Sequence, residues 1–323
     1  MTLILNHADV LAAVDMNDAI EAMEAAFAEE GAGGVNQPPR TNIRLANGFL
    51  RIGPVVMERS GWMGFKAMNL SAGIGVRYQV HLYTVADGDL KAIMDAQHLT
   101  TLRTGATSAV ATRRLARDEA VTVAVLGSGV EARVQLEAMH ALGLVAGARV
   151  FSPTRENREA FAAAYAESLG IEVAPVGDAR AAVDGAGMVV AAVKASEHAF
   201  YGAWLEPGMH VNSVGTARPN QREIDPETFA RSDVTVVDTR HGVLNEAGDA
   251  IEAADAIVPD EVHELCNVVA DGTPRRTDDT QITLFKSVGT GIQDIALAAK
   301  IYERARDRGL GIEFADLLNV KKA

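Results

Sequence analysis

The chain has a single cysteine, Cys266, among its 323 residues, so it can form no intrachain disulfide and suits a reducing compartment. Basic residues are outnumbered: 30 Lys and Arg against 43 Asp and Glu leave a net charge of −13. That balance argues against a nucleic-acid partner, because phosphate binding draws on a basic face and the counterions it displaces. Long apolar runs are also missing, and none approaches the ~20 residues that span a bilayer. The opening "MTLILNHADV" lacks the basic start and extended apolar stretch of a signal peptide. These absences together lead us to expect a cytoplasmic protein with neither a nucleic-acid nor a membrane partner. One cysteine and eight scattered histidines give no metal-ligand spacing, so no metal is expected. His81, His98, His210 and His241 read as hydrogen-bonded structural residues.

What is present falls into two patterns. Residues 9–30 carry Ile20, Met23 and Phe27 at helical spacing, with Gly31 as a stop. From 40 to 95 short β-like runs follow ("TNIRLA", "GFLRIG", "WMGFKAMNL", "RYQVHLYTV", "DLKAIMD"), the last two joined at an Asp87-Gly88 turn. This is an α+β unit on an antiparallel sheet. A helix follows in "TTLRTGATSAVATRRLA", with Thr100 or Thr101 available to cap it. From 121 onward apolar strands alternate with helices at 130–142, 155–169 and 178–185, as in a parallel sheet covered on both faces. Two domains are expected. Residues 1–118, with a C-terminal helix at 300–323, form one, and residues 119–299 form the other.

Between the strand "VTVAVL" and the next helix stands "GSGVEA", in which Gly127, Gly129 and Ala132 form G-x-G-x-x-A. The first glycine permits a tight turn and the second a close backbone approach to a pyrophosphate. The small third residue lets helix and strand pack closely. Inside a βαβ unit of about 30 residues this spacing is the signature of a Rossmann dinucleotide site. The helix start supplies unpaired N–H groups for the phosphates, so Gly127, Ser128, Gly129, Val130 and Glu131 are expected at the cofactor. The next strand ends in Ser152, Pro153, Thr154 and Arg155, without the acid that usually receives the ribose 2′-hydroxyl of NAD. Nothing there repels a 2′-phosphate and Arg155 could neutralise one, which tilts the expectation slightly toward NADP(H) over NAD(H).

"GFK" at 64–66, "LTTLRTGATSAVAT" at 99–112, the glycine loop and "LFKSVGTGIQD" at 284–294 together resemble the ornithine cyclodeaminase/mu-crystallin family, over about residues 9–305. The resemblance implies a homodimer with an N-terminal substrate and dimerisation domain, a Rossmann domain and a returning C-terminal helix. It implies NAD(P)H chemistry on amino acids or their imines. Arg44, Lys66 and Arg103 match the family's cations around a substrate carboxylate, Arg103 lying near a helix start. Thr104, Ser287 and Gly289 match neighbours of the nicotinamide and phosphates. Val214 and Gly215 match the strand end facing the nicotinamide, and Val193 lies on the adjoining strand.

Two departures narrow the activity. Cyclodeaminases carry a proton-accepting Asp two residues after the glycine matching Gly215, and here that residue is Ala217. A second acid of theirs falls at Arg51, which would either add a cation to the substrate site or pair with Glu58 or another carboxylate of its domain. Asp225, nearby in sequence, reads as a helix cap. Loss of a positioned base typically costs about 10²–10⁴-fold. Reduction of an imine or ketimine to an L-amino acid is therefore the expected activity, the imine being cyclic, such as Δ1-pyrroline-2-carboxylate, or linear. The alternatives are ornithine cyclodeaminase or amino-acid/opine dehydrogenase activity, and a non-catalytic NADP-dependent binding protein of the mu-crystallin type.

Overall fold

In the computed structural model, which describes residues 1–315, 317 and 318, the chain runs β1 (Thr2–Leu5), α1 (His7–Ala13), α2 (Met16–Gly31), β2 (Val35–Asn36), β3 (Thr41–Leu45), β4 (Gly48–Met57), β5 (Trp62–Ser71), β6 (Gly75–Thr84), β7 (Leu90–Asp95) and α3 (Gln97–Leu115). It continues with β8 (Val121–Leu126), α4 (Val130–Ala141), β9 (Val145–Phe151), α5 (Arg155–Leu169), β10 (Glu172–Pro175), α6 (Ala179–Val183), β11 (Met188–Ala191), β12 (His210–Ser213), α7 (Pro226–Ala230) and β13 (Val234–Val237). Then come α8 (Arg240–Glu246), α9 (Gly248–Glu252), β14 (Val262–Glu264), α10 (Leu265–Asp271), β15 (Thr283–Lys286), α11 (Gly291–Arg308) and β16 (Ile312–Phe314). Two compact units result: residues 1–103 with 290–323, and residues 104–289.

The first unit is an eight-stranded sheet in the order β16-β1-β7-β6-β5-β4-β2, with β3 also pairing β4. All pairs are antiparallel except β1 with β7. One sheet face, carrying Val55, Met57, Val80 and Leu82, is buried beneath α11, on which α2 packs. Gly64 on β5 makes that approach possible: a Cβ there would lie 3.0 Å from Ile295 Cδ1 and 2.1 Å from the His81 carbonyl. The contact sets α11 against β5 beside Lys66. Gln37 Oε1 accepts the Ile292 N–H, and Arg304 of α11 bonds Asp18 of α2 at 2.8 Å.

The second unit is a wholly parallel sheet ordered β10-β9-β8-β11-β12-β15-β13-β14. The chain winds one way from β8 to β10 and the other way from β11, so strand order reverses beside β8, where such sheets bind ligands. Strands β11 and β12 are buried throughout: β11 is wholly apolar, whereas in β12 His210, Asn212 and Ser213 are buried with hydrogen-bond partners.

Several local expectations change. Residues 9–30 are two helices, because Asp15 and Asp18 form a capping box that starts α2 afresh. Helix α3 begins at Gln97, whose N–H bonds Asp95 Oδ1, so neither Thr100 nor Thr101 caps it and Arg103 stands at its seventh residue. The units divide within α3, where no change of composition marks a boundary, and at 289/290 rather than at 118 and 300. The C-terminal helix expected over 300–323 begins at Gly291 and ends at Arg308, where Gly309, with a φ of 65°, closes it. Residues 316 and 319–323 lie outside the described residues. Asp225 does cap a helix, accepting the Thr228 N–H at the start of α7.

Candidate active site

In the first unit, three elements distant in sequence bring charge together. Lys66 Nζ of β5 lies 2.7 Å from Asp294 Oδ1 of α11 and 3.4 Å from Thr100 Oγ1 of α3. Arg103 Nε of α3 lies 3.3 Å from the same Asp294 oxygen, outside hydrogen-bond alignment, while its NH1 donates to Gln293 Oε1 at 2.7 Å. All three charged side chains are nearly buried: 12% exposed for Lys66, 10% for Arg103 and 6% for Asp294. Burial lowers the Lys66 ammonium to a pKa of about 8; Arg103 and Arg40 also lower it, and Asp294 opposes them. The Tyr78 ring lies 5.7 Å from Nζ. Two cations sharing one carboxylate leave a net positive pocket suited to an anion.

Strand register places the other arginines. Lys66 pairs with Gly53, and Arg44 pairs with Phe49, opposite Leu70. All these share one sheet face, but the Arg44 row stands four residues, about 13 Å, along the strand from that of Lys66. Arg44 is exposed and is not brought into the cluster. From the same segment it is Arg40 that comes close: its Cβ lies 3.9 Å from where a Cβ on Gly53 would stand. Arg40 follows two prolines, Pro38 and Pro39. Arg51 Nε donates to Asn42 Oδ1 at 2.5 Å, with its guanidinium 5.7 Å from the Phe49 centroid. Glu58, its expected partner, lies seven residues away past the end of β4, about 23 Å along the strand.

In the second unit the glycine loop stands at the end of β8. Gly127 has φ +117°, and a Cβ there would lie 2.7 Å from the Ala192 carbonyl, so both backbone angle and space require glycine. Gly129 is the N-cap of α4, has no side-chain cap and faces open space, while Ala132 is fully buried. The first N–H groups of α4 thus lack a side-chain acceptor at the cap, which fits a pyrophosphate. Ser128, Val130 and Glu131 flank that turn.

At the end of β9, Ser152 is buried and its hydroxyl donates to the Thr154 carbonyl at 3.3 Å. Arg155 is 73% exposed and bonds Glu159 at 2.6 Å. A second arginine, Arg158, donates to the Ser152 carbonyl at 2.9 Å. Thr104, on α3, is buried and its carbonyl accepts Gln135 Nε2.

Val193, Val214, Gly215, Ser287 and Gly289 follow the carboxyl ends of β11, β12 and β15 and so share one sheet edge. Two buried acids, which the sequence reading missed, hold this edge. Glu223 accepts the Val193 N–H at 3.2 Å, the Gly215 N–H at 2.9 Å and the Ser213 hydroxyl at 2.6 Å. Asp238 accepts the Ser287 hydroxyl and the Gly289 N–H, each at 2.6 Å, and the Val288 N–H at 3.1 Å.

Behind Glu223 lies Lys286, wholly buried, with Nζ 2.8 Å from Ser213 Oγ and Thr216 Oγ1, 2.9 Å from Asp249 Oδ2 and 3.3 Å from Glu223 Oε1. Burial opposes its charge, but Asp249 and Glu223 outweigh burial and hold it above the ordinary lysine range. Burial and Asp249 push Glu223 upward. The donors aimed at it are those of an ionised carboxylate, and we take it as charged. A lysine closing the apolar strand "TLFK" was the available signal, since a buried charge needs acid partners. Ala217 offers only a methyl group, half-buried against this unit's core.

A parallel sheet with a glycine loop at its reversal of strand order, in a chain whose other unit buries a pair of cations, defines an α/β protein of the dinucleotide-binding class. The chain belongs to the ornithine cyclodeaminase/mu-crystallin family, whose model matches residues 1–309. Delta(1)-pyrroline-2-carboxylate reductase of Bacillus cereus is 32% identical over 320 residues, covering 93% of this chain and 96% of that protein. Ketimine reductase mu-crystallin of Mus musculus is 32% identical over 292 residues, 88% and 90% of the two chains. The structure of Thermococcus litoralis Delta(1)-pyrroline-2-carboxylate reductase in complex with NADH and L-proline matches with a TM-score of 0.92 and 34% identity, covering 97% of this chain and 100% of that one. Among the described residues no helix is long and apolar enough to cross a membrane, and no cluster of His, Cys, Asp and Glu is placed to hold a metal ion.

Proposed function

We propose that this protein is an NAD(P)H-dependent reductase of imino acids, giving L-amino acids from cyclic imines such as Δ1-pyrroline-2-carboxylate or from linear α-imino acids. The buried Lys66–Arg103 pair carries this reading. It is a net positive pocket with a titratable donor, as an anionic, proton-accepting substrate requires. Gly127, Ser128, Gly129 and Val130 hold the pyrophosphate, and Ser152, Thr154 and Arg155 surround the adenosine ribose, where the lack of an acid favours NADP(H) slightly. Bound NAD(P)H supplies the hydride.

Arg103 and Lys66 grip the substrate carboxylate, the guanidinium fixing its plane and the ammonium adding charge. Lys66 also gives a proton to an imine that arrives neutral; with a pKa of about 8 it is mostly charged at pH 7. Glu223 and Asp238 keep Val193, Gly215, Ser287 and Gly289 in fixed backbone positions. The methyl of Ala217 cannot take a proton from a substrate amine, which disfavours cyclodeamination. NAD(P)H absorbance followed with pyrroline-2-carboxylate, and with α-keto acids plus amines, tests the reading. Oxidation by the cyclic imine is expected, at least as fast with NADPH as with NADH. No oxidation with any imine, or conversion of ornithine to proline and ammonia, overturns it.

The protein acts as a homodimer through the sheet face of the first unit opposite to α11. Ile52, Pro54, Met63, Phe65 and Tyr83 lie half-buried there, on the face opposite to Gly64, which receives Ile295 of α11. Placing a charge at the centre of that face should part the copies: Phe65→Glu is expected to halve the mass seen by sedimentation equilibrium. A wild-type protein of monomer mass removes the assignment.

A further inference from the structure

The Gln-Asp pair at 293–294 closes the sequence run that singled out this part of the chain, yet it has no role in the reading above. Both residues are buried, and both point at cations: Gln293 at Arg103, Asp294 at Lys66 and Arg103 together. A carboxylate there is not needed to seat α11. Ile292 and Ile295 are fully buried, Gly64 receives Ile295, Gln37 ties the helix start, and Arg304 bonds Asp18.

We propose that Asp294 is a positioning residue for the anion-gripping pair, fixing where Lys66 and Arg103 stand and the pH range over which Lys66 works. The proposal rests on the imine-reductase reading. The groups facing Lys66 are Asp294 from α11, Arg103 and Thr100 from α3, Arg40 from the segment before β3, and Tyr78 from β6. Burial, Arg103 and Arg40 favour the neutral amine, and Asp294 favours the ammonium. Lys66 binds a carboxylate and donates a proton only while charged, so activity falls as pH rises through its pKa. Without the Asp294 charge that fall comes at lower pH.

The experiment is the pH profile of kcat/KM for the imine in wild type, Asp294→Asn, Asp294→Glu and Lys66→Arg. In Asp294→Asn the descending limb moves at least one pH unit toward acid, and KM rises by a larger factor than kcat falls. Asp294→Glu keeps the limb near its wild-type place, and Lys66→Arg abolishes it, because a guanidinium does not titrate in that range. Cofactor affinity stays unchanged throughout. An unmoved limb in Asp294→Asn, or a limb that survives in Lys66→Arg, overturns the proposal. A wild type inactive on every imine instead overturns the parent reading, so the two failures are distinct.

Discussion

Replacing Lys286 with methionine costs about 3–5 kcal/mol of stability, the usual toll when one partner leaves a buried ionic group. Glu223 and Asp249 have no exposed surface, so the variant holds two carboxylates with no cation between them. The midpoint of thermal unfolding falls by on the order of 10 °C. The direction of its pH dependence identifies the cause. Burial pushes the Glu223 carboxyl upward and Lys286 opposes this, so without the lysine its folded-state pKa stands further above the unfolded one and it favours folding below the ordinary carboxylate range. That contribution is lost as pH rises through the raised value. Lys286→Met is therefore relatively more stable near pH 4–5 than at pH 7. Adding Glu223→Gln and Asp249→Asn recovers part of the loss, since an uncharged trio no longer needs a cation. Urea titration at the two pH values decides it: a loss under about 1 kcal/mol, or a pH dependence of the opposite sign, shows that the trio does not carry the stability assigned to it.

Lys66→Met leaves the fold largely intact and removes most activity. The thioether chain fills similar space and Arg103 still offsets Asp294, so thermal stability moves little. The substrate loses an anchoring charge, and a neutral imine loses its proton donor, together a fall in kcat/KM of about 10²–10⁴. Cofactor affinity, assigned to the glycine loop, stays near its wild-type value. Fluorescence titration with NADPH and steady-state imine reduction separate the effects. A loss below tenfold would show that Lys66 touches neither carboxylate nor imine.

The parts of the molecule legible in the sequence are those governed by local spacing. The helix at 155–169, the Gly127–Gly129 turn and the Asp87-Gly88 turn follow from periodicity and backbone demands set within a few residues. What escaped depends on distant pairing. Arg44 was expected at the substrate from the family resemblance, whereas the register of β3, β4 and β5 decides which arginine stands beside Lys66. Asp294 and Lys66 are 228 positions apart, and Lys286 meets Glu223 from 63 positions away. No spacing rule reaches so far. The lone lysine in "TLFK" was a sign that acids had to be near, without saying which.

The first unit is assembled from the two ends of the chain, and this governs how it is made. Helix α11, which covers the sheet and supplies the counterion of Lys66, is translated after all of residues 104–289. At about 5–20 residues per second a nascent chain displays the naked apolar face of Val55, Val80 and Leu82 for some ten seconds or more before its cover emerges. An apolar face left open during synthesis is prone to aggregation, and here it belongs to the N-terminal third of the chain.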